Sequence, residues 1–200
     1  KANRKAEEGI LPLADDSFCA VAMRQATVYG YSPRMRFDLA INGMTYGAWN
    51  TGKLPLLRDG TQWRPMVHVQ DTARALAFML EADHEWINGE IFNVGSNCNN
   101  YQLQPLAETV AEAVPRPVEI EWYGDPDHRS YRVSFDKLEN LGFQAEYVAE
   151  DGVREVSQAL EGGFTDKTTK TLTLKWYQEL VHWHELIERT AMHGGIVDLP

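Results

Sequence analysis

Cysteine is scarce in this sequence. Cys19 and Cys98 are the only two in 200 residues, and no CxxC occurs. That argues against a disulfide-stapled scaffold and a cysteine-rich zinc module, and suits two free thiols in a reducing, cytoplasmic setting. Positive charge is also short: 19 Lys and Arg against 29 Asp and Glu give a net charge of -10 and a pI near 5.0. A nucleic-acid partner is therefore not expected, because phosphate neutralisation needs a basic footprint. A few local arginines can still dominate one cleft and serve a small anionic ligand. No apolar run approaches the ~20 residues that span a bilayer, so no membrane partner is expected. There is no GxGxxG, GxxGxxG or P-loop, and the glycine-rich part of any nucleotide site is absent from this sequence. No Ser-His-Asp or Cys-His constellation has motif support. His182, His184 and Glu185 stop short of HExxH, since Glu188 stands where the second histidine is required, and no metal is expected.

What is present is ordinary for a globular protein: 44% hydrophobic and 24% charged residues in 22.7 kDa, enough to bury a real core. Lys1 to Glu8 is helix-like without an initiator methionine, and reads as the interior of a helix in a longer protein. That helix is expected over residues 1–14, with Pro12 in its last turn. After the polar turn Asp15-Asp16-Ser17, the continuous apolar run Phe18 to Met23 predicts a strand buried on both faces of a parallel sheet. Helix, short loop and buried strand form one step of a doubly wound α/β fold, where ligands sit at strand carboxyl ends. Arg24 to Gly30 occupies such an end. The loop Tyr31 to Asp38 carries Arg34 and Arg36, which fit either an anion contact or a solvated turn. Helices are expected over Leu39 to Trp49, Leu103 to Val114, Asp136 to Leu141 and residues 151–160, and strands over Glu90 to Val94 and Val118 to Trp122. From Lys170 to Met192, Leu172, Trp176, Leu180, Trp183 and Ile187 recur at helical spacing, predicting a long amphipathic helix that lies on the globule or joins a partner subunit.

The middle of the chain, Leu54 to Leu80, has the order strand, turn, arginine, strand, capped helix. Arg58-Asp59-Gly60 is a turn signal, Met66 to Val69 alternates as a strand, and Asp71 reads as the N-cap of the helix that follows. Arg64 at the mouth of a strand suits an anionic ligand, because its guanidinium presents a fixed fork of donors to phosphate or carboxylate. A surface arginine in a turn fits the same spacing.

Several segments together resemble the extended short-chain dehydrogenase/reductases, the NAD-dependent epimerase/dehydratase family, over roughly residues 1–160. Arg24 to Gly30 (RQATVYG) is similar to that family's R-x-x-x-V-Y-G. Asp59 to Asp71 (DGTQWRPMVHVQD) resembles D-G-x-x-x-R-x-x-V-H-V-x-D, and Gly89 to Gly95 (GEIFNVG) resembles G-x-x-[YF]-N-[LV]-G. Asn42 opens a helix like the one whose asparagine meets a nucleotide-sugar diphosphate, and Asp127 to Tyr131 (DHRSY) resembles the late segment whose arginine reaches the same group.

The resemblance implies the last elements of a Rossmann-type parallel sheet plus a smaller mixed α/β substrate-binding part. Residues 1–30 would end the dinucleotide-binding domain, residues 31–165 would form mainly the nucleotide-sugar part, and residues 166–200 a helical extension. It implies NAD or NADP as cofactor, a nucleotide sugar as substrate and a homodimer. Lys1 stands at the expected distance for the lysine of the family's Y-x-x-x-K pair, with Lys5 one helical turn on as its competitor; the tyrosine would lie upstream. Such a lysine favours the phenolate and can also hold the nicotinamide ribose. Arg64, Arg129 and Asn42 are the implied diphosphate contacts. Arg36 joins them as a substrate contact, and Ala26, Thr27 and Val28 are placed beside the nicotinamide. Thr27 departs from the family's usual asparagine, which shifts contacts there to the backbone. Asn93 is expected to satisfy backbone groups, and His68 to be a core histidine. A non-catalytic binding protein of the same fold is the rival reading.

Overall fold

The computed structural model describes residues 2–126, 128–192 and 196–197. Lys1, proposed from the sequence as the catalytic lysine, lies outside them. In chain order the elements are α1 (Ala2–Ile10), β1 (Ala22–Gln25), β2 (Thr27–Tyr29), α2 (Ala40–Thr51), β3 (Lys53–Leu57), β4 (Trp63–His68), α3 (Val69–Glu81) and α4 (His84–Ile87). Then follow β5 (Ile91–Val94), β6 (Asn100–Gln102), α5 (Leu103–Ala113), β7 (Glu119–Tyr123), α6 (Asp136–Asn140), α7 (Ala149–Glu161) and α8 (Thr173–Thr190).

Pairing rather than hydrophobicity sets the first strand. The apolar run after the Asp15 turn does not form it: Asp15 Oδ1 accepts from the N–H groups of Ser17 (2.7 Å) and Phe18 (2.9 Å), and Phe18 is left 49% exposed. The parallel ladder with β5 opens only where Ala22 N donates to Glu90 O. β1 therefore runs from Ala22 to Gln25, its second half is exposed, and it is not buried on both faces as the sequence suggested.

One residue later the same extended run changes partner. Ala26 N still donates to Val94 O of β5, but Thr27 to Tyr29 pair in parallel with Met66 to His68 of β4. The start of β4 pairs antiparallel with β6, a strand too short and too polar (Asn100-Tyr101-Gln102) for its pattern to announce. β3 and β7 form a separate parallel pair. Exchange of strand partners opens a crevice at the carboxyl ends of parallel strands, the ordinary ligand position in open α/β sheets.

Three apolar clusters fix this frame. The largest joins α2, β3, α5 and the start of α7 through Ile41, Leu54, Leu56, Leu106, Val110 and Val153, each buried side chain contributing about 1.5–3 kcal/mol. Gly152 lets α7 approach: a Cβ there would lie 2.4 Å from the Tyr29 ring. A second cluster backs β1 and β5 with Val67, Phe92, Val94 and Leu138. In the third, Met35 and Phe37 pack on Val156 and Leu160, with Leu172 against them.

The tail helix is shorter than its apolar spacing suggests. A 3-10 turn (Thr169–Thr171) precedes it, and α8 begins at Thr173. Leu180, Trp183 and Ile187 of the expected stripe are exposed, so the helix does not lay its apolar stripe on the globule. Among the described residues no helix is long and apolar enough to cross a membrane. Both cysteines are free.

Candidate functional site

The crevice where β1 and β2 exchange partners is the first of two adjoining clefts. Cleft one, about 710 Å³, is floored by Gln25 to Gly30 and walled by the loop carrying Ser32, Arg34 and Arg36, by Asn42 and Asn93, and by Tyr131. Cleft two, about 680 Å³, is lined by Asp38, Tyr123, Arg64, Arg129 and Lys167. Thr27, Leu39 and Tyr131 belong to both. Each volume falls in the ~300–1,000 Å³ range of small-molecule sites.

The residues singled out from the sequence divide between these clefts. Ala26, Thr27, Val28, Asn42 and Arg36 line cleft one, whereas Arg64 and Arg129 meet in cleft two. Arg64 stands on β4 and is tied to the segment that carries Arg129. Its Nη1 donates to Trp63 O (2.8 Å) and to Arg129 O. Trp63 N donates to Ser130 Oγ (3.0 Å), Tyr131 N returns a bond to Trp63 O (3.3 Å), and the guanidinium lies 5.6 Å from the Tyr131 ring. Two arginines 65 positions apart are thus stitched into one wall.

Asn42 and Arg36 are engaged differently. Asn42 is buried; its Oδ1 accepts from Gly30 N (3.0 Å) and its Nδ2 donates to Arg36 O (3.2 Å). It splices the strand end to the arginine loop and helix α2. Arg36 is gripped by Asp38 through Nε and Nη2 at 3.2 and 2.9 Å. Burial works against ionisation of Asp38, yet the hydrogen bonds and attraction of Arg36 outweigh it and hold the carboxyl below its ordinary range.

Behind cleft one stands a buried polar assembly. His68 is buried, as expected, but it also caps α3: its Nδ1 accepts from Gln70 N (3.3 Å). That leaves Nε2 as the protonated nitrogen of a neutral ring, 3.0 Å from Glu155 Oε2. The same Glu155 oxygen accepts from Tyr31 N (2.9 Å), so α7 anchors the strand-end loop. Gly30 sits at φ 102° with its backbone against the imidazole; a Cβ would lie 2.5 Å from His68 Nε2. Tyr147 stacks on His68 at 4.4 Å.

Asp71 is not the N-cap that its position suggested. It is fully buried and accepts from Arg74 Nη1 (2.6 Å), Glu146 N (3.0 Å) and Tyr147 N (3.0 Å). Backbone donors about 75 positions away claim it, and the imidazole one turn earlier takes the cap. Asn93 behaves as expected, donating to Ser134 O (3.1 Å). Tyr29 lines cleft one, but burial, aided by the negative charge of nearby acidic residues, pushes its phenol far above the usual range. It stays protonated and is no general base. Sequence reasoning missed Glu155, Tyr147 and the double role of Tyr131; no local pattern marks them, because each acts on partners dozens of residues away.

This strand-end architecture has counterparts. Residues 4–95 match the family described as NAD dependent epimerase/dehydratase. Over those residues, a little under half of its length, the chain is similar to that family. The low-salt glycan biosynthesis protein Agl12 of Haloferax volcanii is 30% identical over 130 residues, 64% of this chain and 41% of that protein. The dTDP-glucose 4,6-dehydratase of Escherichia coli is 26% identical over 153 residues, 72% of this chain and 37% of that protein. The chain therefore spans about two fifths of the length of these curated relatives. Among solved structures, the dTDP-glucose 4,6-dehydratase of Bacillus anthracis in complex with NAD superposes with a TM-score of 0.59 at 28% identity, over 71% of this chain and 44% of that one. RMD of Pseudomonas aeruginosa, complexed with NADPH, gives 0.66 at 19% identity over 79% and 54%, a likeness of fold alone. Within this epimerase/dehydratase fold, cleft two draws several of its walls from beyond residue 95, outside the matched segment.

Proposed function

We propose that this chain supplies the sugar-nucleotide side of an enzyme carrying out NAD- or NADP-linked chemistry at a sugar carbon, as an epimerase, dehydratase or reductase. The observation that carries this reading is the meeting of Arg64 and Arg129 in a cleft that adjoins the strand-end crevice. Paired guanidinium groups suit a diphosphate, each charge-assisted bond contributing about 1.5–3 kcal/mol. With the diphosphate there, the sugar extends past Thr27 and Leu39 into cleft one. Asn42 sets the position of Gly30 and of the Arg36 backbone, and Arg36 reaches a ligand only by loosening its hold on Asp38.

The residues of cleft one fit the nicotinamide end of a dinucleotide through a strand-end floor from Ala26 to Val28. The dinucleotide supplies hydride transfer when bound. The part of this chain is to orient the sugar carbon, exclude water and hold the diphosphate. Lys1, outside the described residues, takes the role of lowering a tyrosine pKa; Lys1→Met in the full-length protein should move the pH–rate profile to higher pH, and an unmoved profile transfers the role to Lys5 or removes it.

The decisive test is Arg64→Ala in the full-length protein, titrated with nucleotide sugars and separately with NAD and NADP. Nucleotide-sugar affinity should fall by about tenfold or more while dinucleotide affinity holds. Equal losses for both ligands, or none for either, would remove the diphosphate assignment.

A further inference from the structure

Cleft one has a charge asymmetry that the assignment above leaves unused. Among the described residues its lining contains three arginines, Arg24, Arg34 and Arg36, and no aspartate or glutamate, in a chain whose net charge is -10. Two of the three are locally neutralised. Glu7 holds Arg24 through Nε and Nη2 at 2.9 and 2.6 Å, and Asp38 holds Arg36 at 3.2 and 2.9 Å. Arg34 has no hydrogen bond or ion pair among the described residues.

The backbone beneath Arg34 is nevertheless fixed. Met35 and Phe37, which alternate with the two loop arginines, are 2% and 3% exposed. Ser32 N donates to Met35 Sδ (3.3 Å), and Phe37 N donates to Thr171 O (2.9 Å). Anchored on both sides, the loop places the exposed Arg34 in the lining of a cleft that has no competing carboxylate among the described residues. Such a group is a receptor for an oxyanion, and being poorly hydrated it gives up water at little cost.

Two oxyanions come into question, a phosphate of the dinucleotide and a carboxylate on the sugar. With the sugar-nucleotide diphosphate in cleft two, the part of the substrate that reaches cleft one is the sugar ring. We propose that Arg34 reads a carboxylate on that ring, so that the preferred substrates are nucleotide sugars of the uronic acid type. This rests on the assignment of cleft two to the diphosphate.

The test uses the full-length protein with NAD present and compares UDP-glucuronate with UDP-glucose, which share the nucleotide and differ in the carboxylate. The wild-type protein should bind UDP-glucuronate about tenfold or more tightly than UDP-glucose, the contrast that one charge-assisted bond gives. Arg34→Gln should abolish that preference without weakening UDP-glucose binding, and Arg34→Lys should restore part of it. Equal affinity of the wild-type protein for the two sugars would overturn the proposal. So would a loss of NAD affinity in Arg34→Gln with sugar discrimination intact, because the arginine would then serve a dinucleotide phosphate. Failure of both sugar nucleotides to bind at all would overturn the sugar-nucleotide assignment itself and this inference with it.

Discussion

The two clefts share a rim but are built on different principles. Cleft one is floored by residues at the ends of parallel strands, and its geometry is fixed by polar groups behind it: Asn42 on Gly30, Glu155 on Tyr31 and His68, Asp71 on residues 146 and 147. In cleft two the arginine wall is held by the stitching of Trp63 and Arg64 to the segment 129–131. Both draw on residues beyond the segment that matches the family: the first takes Tyr131, Val133 and Phe135, and the second Leu103, Tyr123, Arg129, Tyr131 and Lys167.

The largest effect should come from removing what supports cleft one from behind. Asp71→Ala strips the acceptor from two backbone N–H groups and from Arg74 at a fully buried position. The expected cost is about 3 kcal/mol, read from urea denaturation. Tyr147, which stacks on His68, loses its anchor, so any folded fraction should lose affinity for cleft-one ligands before cleft-two ligands. A loss below about 1 kcal/mol would mean the assembly is ornamental to stability. Loss of both ligands in parallel would mean that the clefts do not have separate supports.

Tyr131 tests the shared rim. It lines both clefts and lies under the Arg64 guanidinium at 5.6 Å. Tyr131→Leu keeps the bulk but removes the ring face, at about 0.5–1 kcal/mol for a half-exposed cation–π contact. Dinucleotide and nucleotide-sugar affinities should both drop, by roughly two- to fivefold. An effect confined to one ligand would show that only one cleft uses the rim. Smaller still should be Arg36→Gln. Its ion pair with Asp38 has side chains 42% and 28% exposed, and pairs of that kind contribute about 0–1 kcal/mol. Nucleotide-sugar affinity should change by less than about threefold; a tenfold loss would restore Arg36 to the rank of Arg64. Because the Asp38 carboxyl is held below its ordinary value, the pair is complete above the unfolded pKa of about 3.9. It is lost only as pH falls below that range through the folded value. Arg36 should therefore gain influence on ligand binding only in acid.

The fold was legible wherever local pattern and tertiary pairing agree. The helix α2, the strand β5 and the arginine at the mouth of β4 follow from spacing and turn chemistry that the packing leaves unopposed. The first strand was not, because the apolar run Phe18 to Val21 carries the hydrophobic signal while the ladder to β5 starts only at Ala22. Asp71 was misread for a similar reason. An aspartate just ahead of a helical repeat is a good cap in isolation, but donors at 146 and 147 have the stronger claim once the chain folds. In the candidate site, the types of Arg64, Arg129 and Asn42 could be read, but their division into two clefts could not. That division depends on which strand edge faces which loop.

The smallest effect expected bears on the tail. Its apolar stripe suggested a helix that lies on the globule or joins a partner subunit, and α8 leaves Leu180, Trp183 and Ile187 of that stripe exposed. The contacts that reach cleft one come from the residues ahead of it: Thr171 O accepts from Phe37 N (2.9 Å), and Leu172 packs on the Met35 and Phe37 cluster. Cutting the full-length protein after Leu172 should therefore leave its stability within about 0.5 kcal/mol, as for changes away from packed groups, and leave nucleotide-sugar binding unchanged. Cutting after Gly163 removes that hydrogen bond and the Leu172 contact together with Lys167 of cleft two, and should loosen the arginine loop of cleft one while the bond from Arg64 to Arg129 O persists. If the two truncations behave alike, the helix and not the turn before it secures the loop, and the separation of the clefts at their C-terminal side fails.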